Sequence, residues 1–511
     1  MIFCSKKNQP RENAVIKSTK YYFSSSGNDN NDGSIDHPFK SIAKLNTLPL
    51  HGGDAVYFNG GEVFAGSIII DSTKYGTADN PIVISSYGNN DAIPIIDGGN
   101  ATAFTVYKTS YINISNLQLK GNGRKTGNTK DGLIINLSKN INVNSIETSG
   151  FQKSGLLVYS SLNVTNVNVY AHDNGSAGIT VEGPYAKKES SYNIYFGHCL
   201  AENNPGDPTN LTNHSGNGIV VGNCSKVMIE YCTATNNGWD MPRIGNGPVG
   251  IWAYEADSVT IQHCLSYHNK SSVGGADGGG FDIDGGVTNS VVQYNFSYEN
   301  QGAGYSIFQY LYASPWHDNV FRFNISENDG LVSDGRAGVY IWNSSRDANQ
   351  FYNCLFYNNT IYNTHEAAIS YSELSMRKNF AFYNNIFIGE DSLIRGSRNN
   401  GDVYLGNDWW SITRQFNAEG ITDFSKWAQQ NKQEMIAGKM EGMNVYPGFP
   451  HPGNATITSE DSLKTFINYQ LPQGSLLRTS GIDLKALYNI NNGGIDFFSK
   501  PVSGNGVGAC F

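Results

Sequence analysis

Between residues 250 and 342 one short pattern returns four times: glycine, apolar, any residue, apolar, any residue. It reads Gly250-Ile-Trp-Ala-Tyr254, Gly280-Phe-Asp-Ile-Asp284, Gly304-Tyr-Ser-Ile-Phe308 and Gly338-Val-Tyr-Ile-Trp342. A period of two belongs to a strand, whose successive side chains alternate between faces. The pattern sends Ile251, Ala253, Phe281, Ile283, Tyr305, Ile307, Val339 and Ile341 into a core. It leaves Trp252, Tyr254, Asp282, Asp284, Phe308, Tyr340 and Trp342 on an outer face. The same glycine position recurs upstream at Gly132, Gly155, Gly178 and Gly218, at spacings of 23 to 40 residues. Such spacings suit a parallel β-helix in which one connecting turn varies freely in length.

Each coil carries a second strand, and matching positions in successive coils define two ladders. One reads Val169, Cys199, Cys232, Cys264, Asn295, Asn324; five residues on, the other reads Asn174, Asn204, Asn237, Asn269, Asn300, Asp329. Stacked coils bring equal positions to about 4.8 Å, so the second ladder is a polar one whose side chains satisfy turn backbone groups. The ladder cysteines stand where Val also stands, which makes them small buried thiols rather than metal ligands.

The repeat divides the chain. Residues 1–20 are polar and lysine-rich and read as a tether or signal remnant, with Cys4 a candidate lipid-bearing residue. Residues 21–99 read as an N-terminal cap of short strands with a helix at about 38–48. Coils occupy 100–390, and 391–511 form a C-terminal capping segment with a helix near 423–438.

Composition narrows the function. Glycine is 57 of 511 residues, charged residues are 15% and the net charge is −9. This is a turn-rich β composition with ample core and no basic face for nucleic acid. No apolar run is long enough to span a membrane as a helix. A monomer acting on a polysaccharide or oligosaccharide, without a required cofactor, is the expectation.

The outer face supplies the chemistry. Asp282 and Asp284 are two apart on one strand, with Cα atoms roughly 6.7 Å apart. Neighbouring carboxyls repel when both ionise, so one keeps its proton; a protonated acid beside an ionised partner is what glycosidic cleavage needs. About 5–5.5 Å between the carboxyls gives retention and about 6.5–9.5 Å inversion. Asp277 or Asp334, from variable turns, could replace either partner. Trp239, Lys270 and Arg336 from those turns, with Glu182, Trp252, Tyr254, Phe308, Tyr340 and Trp342, are candidate substrate contacts. Glu182 lies three coils from Asp282, about 14 Å away. Asp-X-Asp in a glycine-rich stretch is also a calcium signature, with Asp277, Asp282 and Asp284 as ligands.

The segment Tyr21-Tyr-Phe-Ser-Ser-Ser-Gly-Asn-Asp-Asn-Asn-Asp-Gly, with Gly53-Asp-Ala-Val-Tyr-Phe58, resembles the N-terminal signature of right-handed parallel β-helix proteins of the pectate-lyase-like superfamily. Gly279-Gly-Phe-Asp-Ile-Asp-Gly-Gly286, with Tyr294-Asn-Phe-Ser297, is similar to bacterial members in or near glycoside hydrolase family 141. That resemblance implies a fucosidase- or xylanase-like hydrolase of plant-type polysaccharides, secreted, periplasmic or at the outer-membrane surface. The chain lacks the polygalacturonase series of motifs and the outer-face lysine of family 9 polysaccharide lyases. Two rivals stand beside the hydrolase. One is a calcium-dependent β-eliminating lyase with Lys270 or Arg336 as base; the other is a non-catalytic carbohydrate-binding β-helix.

Overall fold

The computed structural model describes residues 18–88, 92–332, 335–372, 376–390, 392–396, 401–502 and 504–511. Cys4 and Asp334 lie outside the described residues. Strands pair in parallel along the whole stack, one coil on the next. One sheet of twelve strands runs from Ile68–Ile70 to Ile394–Arg395, and the other two sheets share a 24-stranded assembly. They are joined because Ser110–Gly121, Lys139–Ser149 and Leu162–His172 pass through both.

From Tyr192 onward the second strand expected of each coil is two strands separated by two residues, the first of them in left-handed backbone; in the coil before, the equivalent residue bends one continuous strand, Leu162–His172. That residue is Asn168 in one coil and His198, Tyr231, His263, Tyr294 and Phe323 in the next five, with φ of 54°, 54°, 51°, 52°, 59° and 51°. One such residue turns the chain through a corner and breaks the alternation, so that inward Val227 and Ile229 are followed by inward Cys232. Four of these corner rings, His198, Tyr231, His263 and Tyr294, stack face to face at 5.0–5.2 Å.

The core follows the period-two pattern. Ile251, Phe281, Tyr305 and Val339 share one row and Ala253, Ile283, Ile307 and Ile341 the next, all buried. Both ladders form. The Asn204 amide donates to Asn237 at 2.9 Å, Asn237 to Asn269 at 2.9 Å, Asn269 to Asn300 at 3.0 Å and Asn300 to Asp329 at 2.8 Å. The other continues from Asn324 through Asn359 and Asn385 to Asn407, whose amide ends on Glu434 at 2.8 Å. Cys199, Cys232 and Cys264 are free buried thiols. The ladder also accounts for the repeated glycine: a Cβ on Gly250 would stand 2.1 Å from Ser266 Oγ and 2.6 Å from Asn269 Nδ2.

Stacking starts earlier and ends later than residues 100–390. Lys20–Phe23 already pairs with Ala55–Asn59, and Asp408–Ser411 still pairs with Ile386–Gly389. The N-terminal helix is Ile42–Thr47, capped by Ser41 Oγ accepting from Lys44 N–H. The C-terminal helix is shorter than expected, Phe424–Asn431, because Lys432 turns left-handed at φ 52°. Its Trp427 closes the stack against Trp409 and Tyr404. The remaining tail lies along a different outer face from the one carrying Asp282: Phe449, Phe466, Tyr469, Leu471 and Leu477 cover Leu265, Phe296, Ile325 and Ile386. Buried Glu327 holds it there, accepting from Gly453 N–H at 3.2 Å, Ala455 N–H at 2.8 Å and Tyr469 Oη–H at 2.5 Å.

Candidate active site

Six strands of the twelve-stranded sheet set two outward rows. Trp252, Asp282, Ser306 and Tyr340 are neighbours in one row. In the other, Gly222 adjoins Tyr254 and Phe308 adjoins Trp342, with Asp284 between the two pairs. The turns 205–216, 238–248 and 270–278 stand at the upstream ends of these strands. Rows and turns enclose a pocket of about 540 Å³ that Asp277, Asp282 and Asp284 all line. Its side walls are aromatic: Trp252, Tyr254 and His214 toward the N-terminal end of the stack, Phe308, Tyr340 and Trp342 toward the C-terminal end.

The three carboxyls meet different surroundings. Asp282 is 3% exposed and its Oδ1 has no hydrogen-bond partner. Burial, with the Asp284 and Asp277 charges beside it, holds its pKa well above the carboxylate range. Asp284 is partly exposed and is pushed up to about 7 by burial and by the charges of Asp277 and Glu255, against the opposing hydrogen bond from Gly285 N–H (2.7 Å). Asp277, also partly exposed, accepts from Gly247 N–H at 2.6 Å. The proton therefore sits on Asp282 first and on Asp284 near neutrality. Among the described residues, the His/Cys/Asp/Glu grouping whose ligand atoms converge within 4.8 Å is His198, Glu460 and Asp461, away from the pocket. Asp277, Asp282 and Asp284 do not form such a converged set.

Other expected contacts fall elsewhere. Glu182 does not line the pocket but is tied to it: Tyr254 leans across Gly222 and its hydroxyl donates to Glu182 Oε1 at 3.1 Å. A Cβ on Gly222 would stand 2.1 Å from Tyr254 Cζ, so the bridge requires glycine there. Glu182 shares the row of Asp284, not that of Asp282. Trp239 is 44% exposed, outside the pocket, donating to Asn203 Oδ1 with the Arg124 guanidinium over its ring. Lys270 is outside it too, its N–H on Asn237 O. Arg336 pairs with Glu366 at 3.4 Å, beside Arg395, also outside. No lysine or arginine lines the pocket among the described residues.

Two residues that the sequence pattern did not single out, Tyr310 and Glu255, belong here, and so does His214 of the variable turn 205–217. Tyr310 lines the pocket, and extending the alternation from Ser306 and Phe308 one step would have found it. His214 stacks edge-on to Trp252 at 4.7 Å and is held neutral, its pKa down to about 4, by burial and the Arg243 charge. Glu255 lies fully buried, its Oε1 accepting from Ser314 N–H at 2.7 Å and Tyr310 Oη–H at 3.5 Å. A carboxylate at a buried corner carries no period-two signal.

The family models that match the chain agree with this architecture. The family described as Pel9A-like, right handed beta helix region matches residues 21–251, and a right handed beta helix region family matches 189–387. A lacto-N-biosidase from Bifidobacterium longum subsp. longum is 26% identical over 526 aligned positions, covering 79% of this chain and 31% of that protein. The chain thus spans about a third of that relative's length. Among solved structures, the family 136 lacto-N-biosidase from Eubacterium ramulus is 17% identical with a TM-score of 0.49, covering 79% of this chain and 68% of that one. Pectate lyase Pel9A is 13% identical with a TM-score of 0.44, covering 95% and 96%. The chain is a right-handed parallel β-helix.

Proposed function

We propose that the protein is a glycoside hydrolase acting on a neutral oligosaccharide or polysaccharide, with Asp277 and Asp284 as the acid–base pair. The observation that carries this is the pocket itself: three carboxyls between two aromatic walls, one of them poised near neutrality. Asp282, 3% exposed, keeps its proton, leaving the partly exposed Asp277 and Asp284 as the carboxyls more open to substrate. One of these gives a proton to the leaving oxygen while the other attacks or activates water. The aromatic walls offer faces for the apolar sides of sugar rings, and the neutral imidazole of His214 can accept or donate a hydrogen bond to a hydroxyl.

The likeness to a lacto-N-biosidase supports hydrolysis and adds oligosaccharides bearing lacto-N-biose to the fucosylated and xylan substrates that the family 141 resemblance brings. The absence of a lysine or arginine from the described lining favours neutral sugars over uronates. It also leaves β-elimination without its expected base, since Lys270 and Arg336 stand outside the pocket. The reaction is proposed to need no calcium. The test is sugar release from xylan, fucosylated and lacto-N-biose-bearing substrates, with and without chelator. Reducing ends insensitive to chelator support the reading; ultraviolet-absorbing unsaturated products, lost on chelation, overturn it in favour of a lyase.

A further inference from the structure

Beyond the pocket, two loops from coils four apart meet over the downstream ends of the site strands, a span of about 19 Å by coil spacing. Tyr185, in the loop after Glu182, donates its hydroxyl to Tyr312 O at 3.2 Å, in the loop after Gln309. Both rings face solvent, Tyr185 at 63% and Tyr312 at 85% exposure, and Leu311, the residue before Tyr312, is 49% exposed. Exposed rings on long loops are ordinarily mobile; these are fixed from below. Tyr310 and Ser314 bracket the second loop and both bond the buried carboxylate of Glu255. Leu311 N–H donates to Ser344 Oγ at 2.9 Å. Tyr312 is held at φ 73°, in the left-handed region that non-glycine residues seldom adopt. In the first loop, Ala186 N–H donates to Asn223 at 3.1 Å and Lys188 Nζ to Gly286 O at 2.6 Å, just past Asp284. The fold thus commits a buried carboxylate, a half-buried ammonium and a left-handed tyrosine to presenting two rings that stay exposed among the described residues.

We propose that Tyr185 and Tyr312 form a sugar-binding subsite outside the pocket, taking the pyranose on the far side of the bond to be cleaved. This rests on the hydrolase reading. Continuity identifies the occupant: Tyr310, two residues before Tyr312, lines the pocket together with Asp284, so an oligosaccharide leaving the carboxyls in this direction meets the two rings next. The uncharged character of Tyr185, Leu311 and Tyr312 fits the apolar face of a neutral sugar.

The experiment compares wild type with Tyr185→Ala, Tyr312→Ala and Tyr185→Phe. Each is assayed on the neutral oligosaccharide that wild type cleaves and on an aryl glycoside of its terminal sugar unit. The ratio of kcat/KM for oligosaccharide to that for aryl glycoside is expected to fall about five- to tenfold in each alanine variant. Tyr185→Phe, which keeps the ring, should hold the ratio within about twofold. An unchanged ratio in both alanine variants overturns the subsite even though turnover persists. If wild type cleaves neither substrate, the hydrolase reading falls by itself. The subsite is then judged by titrating xylohexaose, cellohexaose and a lacto-N-biose-bearing tetrasaccharide into wild type and the double alanine variant. Affinity for one of these, weakened at least fivefold in the double variant, sustains it; equal affinity, or none in either protein, overturns it.

Discussion

Asp282 and Asp284 stand two residues apart on one face, and their surroundings separate them. The first has an unpartnered oxygen and stands between Trp252 and Ser306 in its row, the second a Gly285 hydrogen bond and access to the pocket. A neutral amide should therefore replace Asp282 at less than about a tenfold cost in kcat. Asp277→Asn and Asp284→Asn should each lose about 10²–10⁴-fold, measured by initial rates on one substrate. The activity profile should break near pH 7, where Asp284 titrates. Glu255→Gln removes one of the negative charges that raise Asp284 and should move that break to lower pH. Stability gives an independent check. Asp284 is raised in the fold from 3.8 to about 7, so its favourable contribution is complete below about pH 4 and is lost as pH rises through 7. Asp284→Asn escapes this loss; its melting temperature should exceed that of wild type increasingly between pH 4 and 7, read by calorimetry.

At the scale of the element, the Gly-apolar pattern gave away the site strand and its two faces because period-two alternation survives wherever a strand is straight. The corner defeated it: a single left-handed residue such as His263 or Tyr294 shifts the phase, so two short strands read as one. The Asn ladder was legible because identical side chains must recur at equal positions to bond one another. Asn237→Ala should cost about 1–3 kcal/mol, since it removes the oxygen that accepts from the Asn204 amide and backbone N–H and the amide that donates to Asn269, as measured by denaturant unfolding. Gly222 shows the opposite case, a residue whose meaning lies in another coil. Only the structure reveals that Tyr254 crosses it to Glu182. Gly222→Ala should overpack this point at about 1–3 kcal/mol and displace the Tyr254 wall, raising KM.

Across the whole molecule, the tail leaves the face that carries Asp282 and Asp284 open. It packs on the strands that carry Leu265, Phe296 and Ile325, and Glu327 fastens it. Neither the face chosen by the tail nor the convergence of distant loops over the pocket follows from local pattern, since both depend on contacts between residues more than a hundred positions apart, such as Tyr469 with Glu327. The same distance effect misplaced Trp239, Lys270 and Arg336, whose turns flank the sheet but whose side chains serve neighbouring turns or lie beyond the pocket wall. Net charge of −9 and an acidic pocket predict that polyuronates are poor substrates beside neutral glycans, a preference that competition assays would expose.

Hydrolysis of a glycosidic bond in this pocket by Asp277 and Asp284 requires that both carboxyls be present for turnover. The most direct measurement is reducing-sugar release from a panel of neutral oligosaccharides in chelator by wild type, Asp277→Asn, Asp282→Asn and Asp284→Asn. Turnover by wild type, near-complete loss in the Asp277 and Asp284 variants, and activity within about tenfold of wild type in Asp282→Asn are expected. Turnover retained in both Asp277→Asn and Asp284→Asn, or lost only in Asp282→Asn, would contradict this assignment.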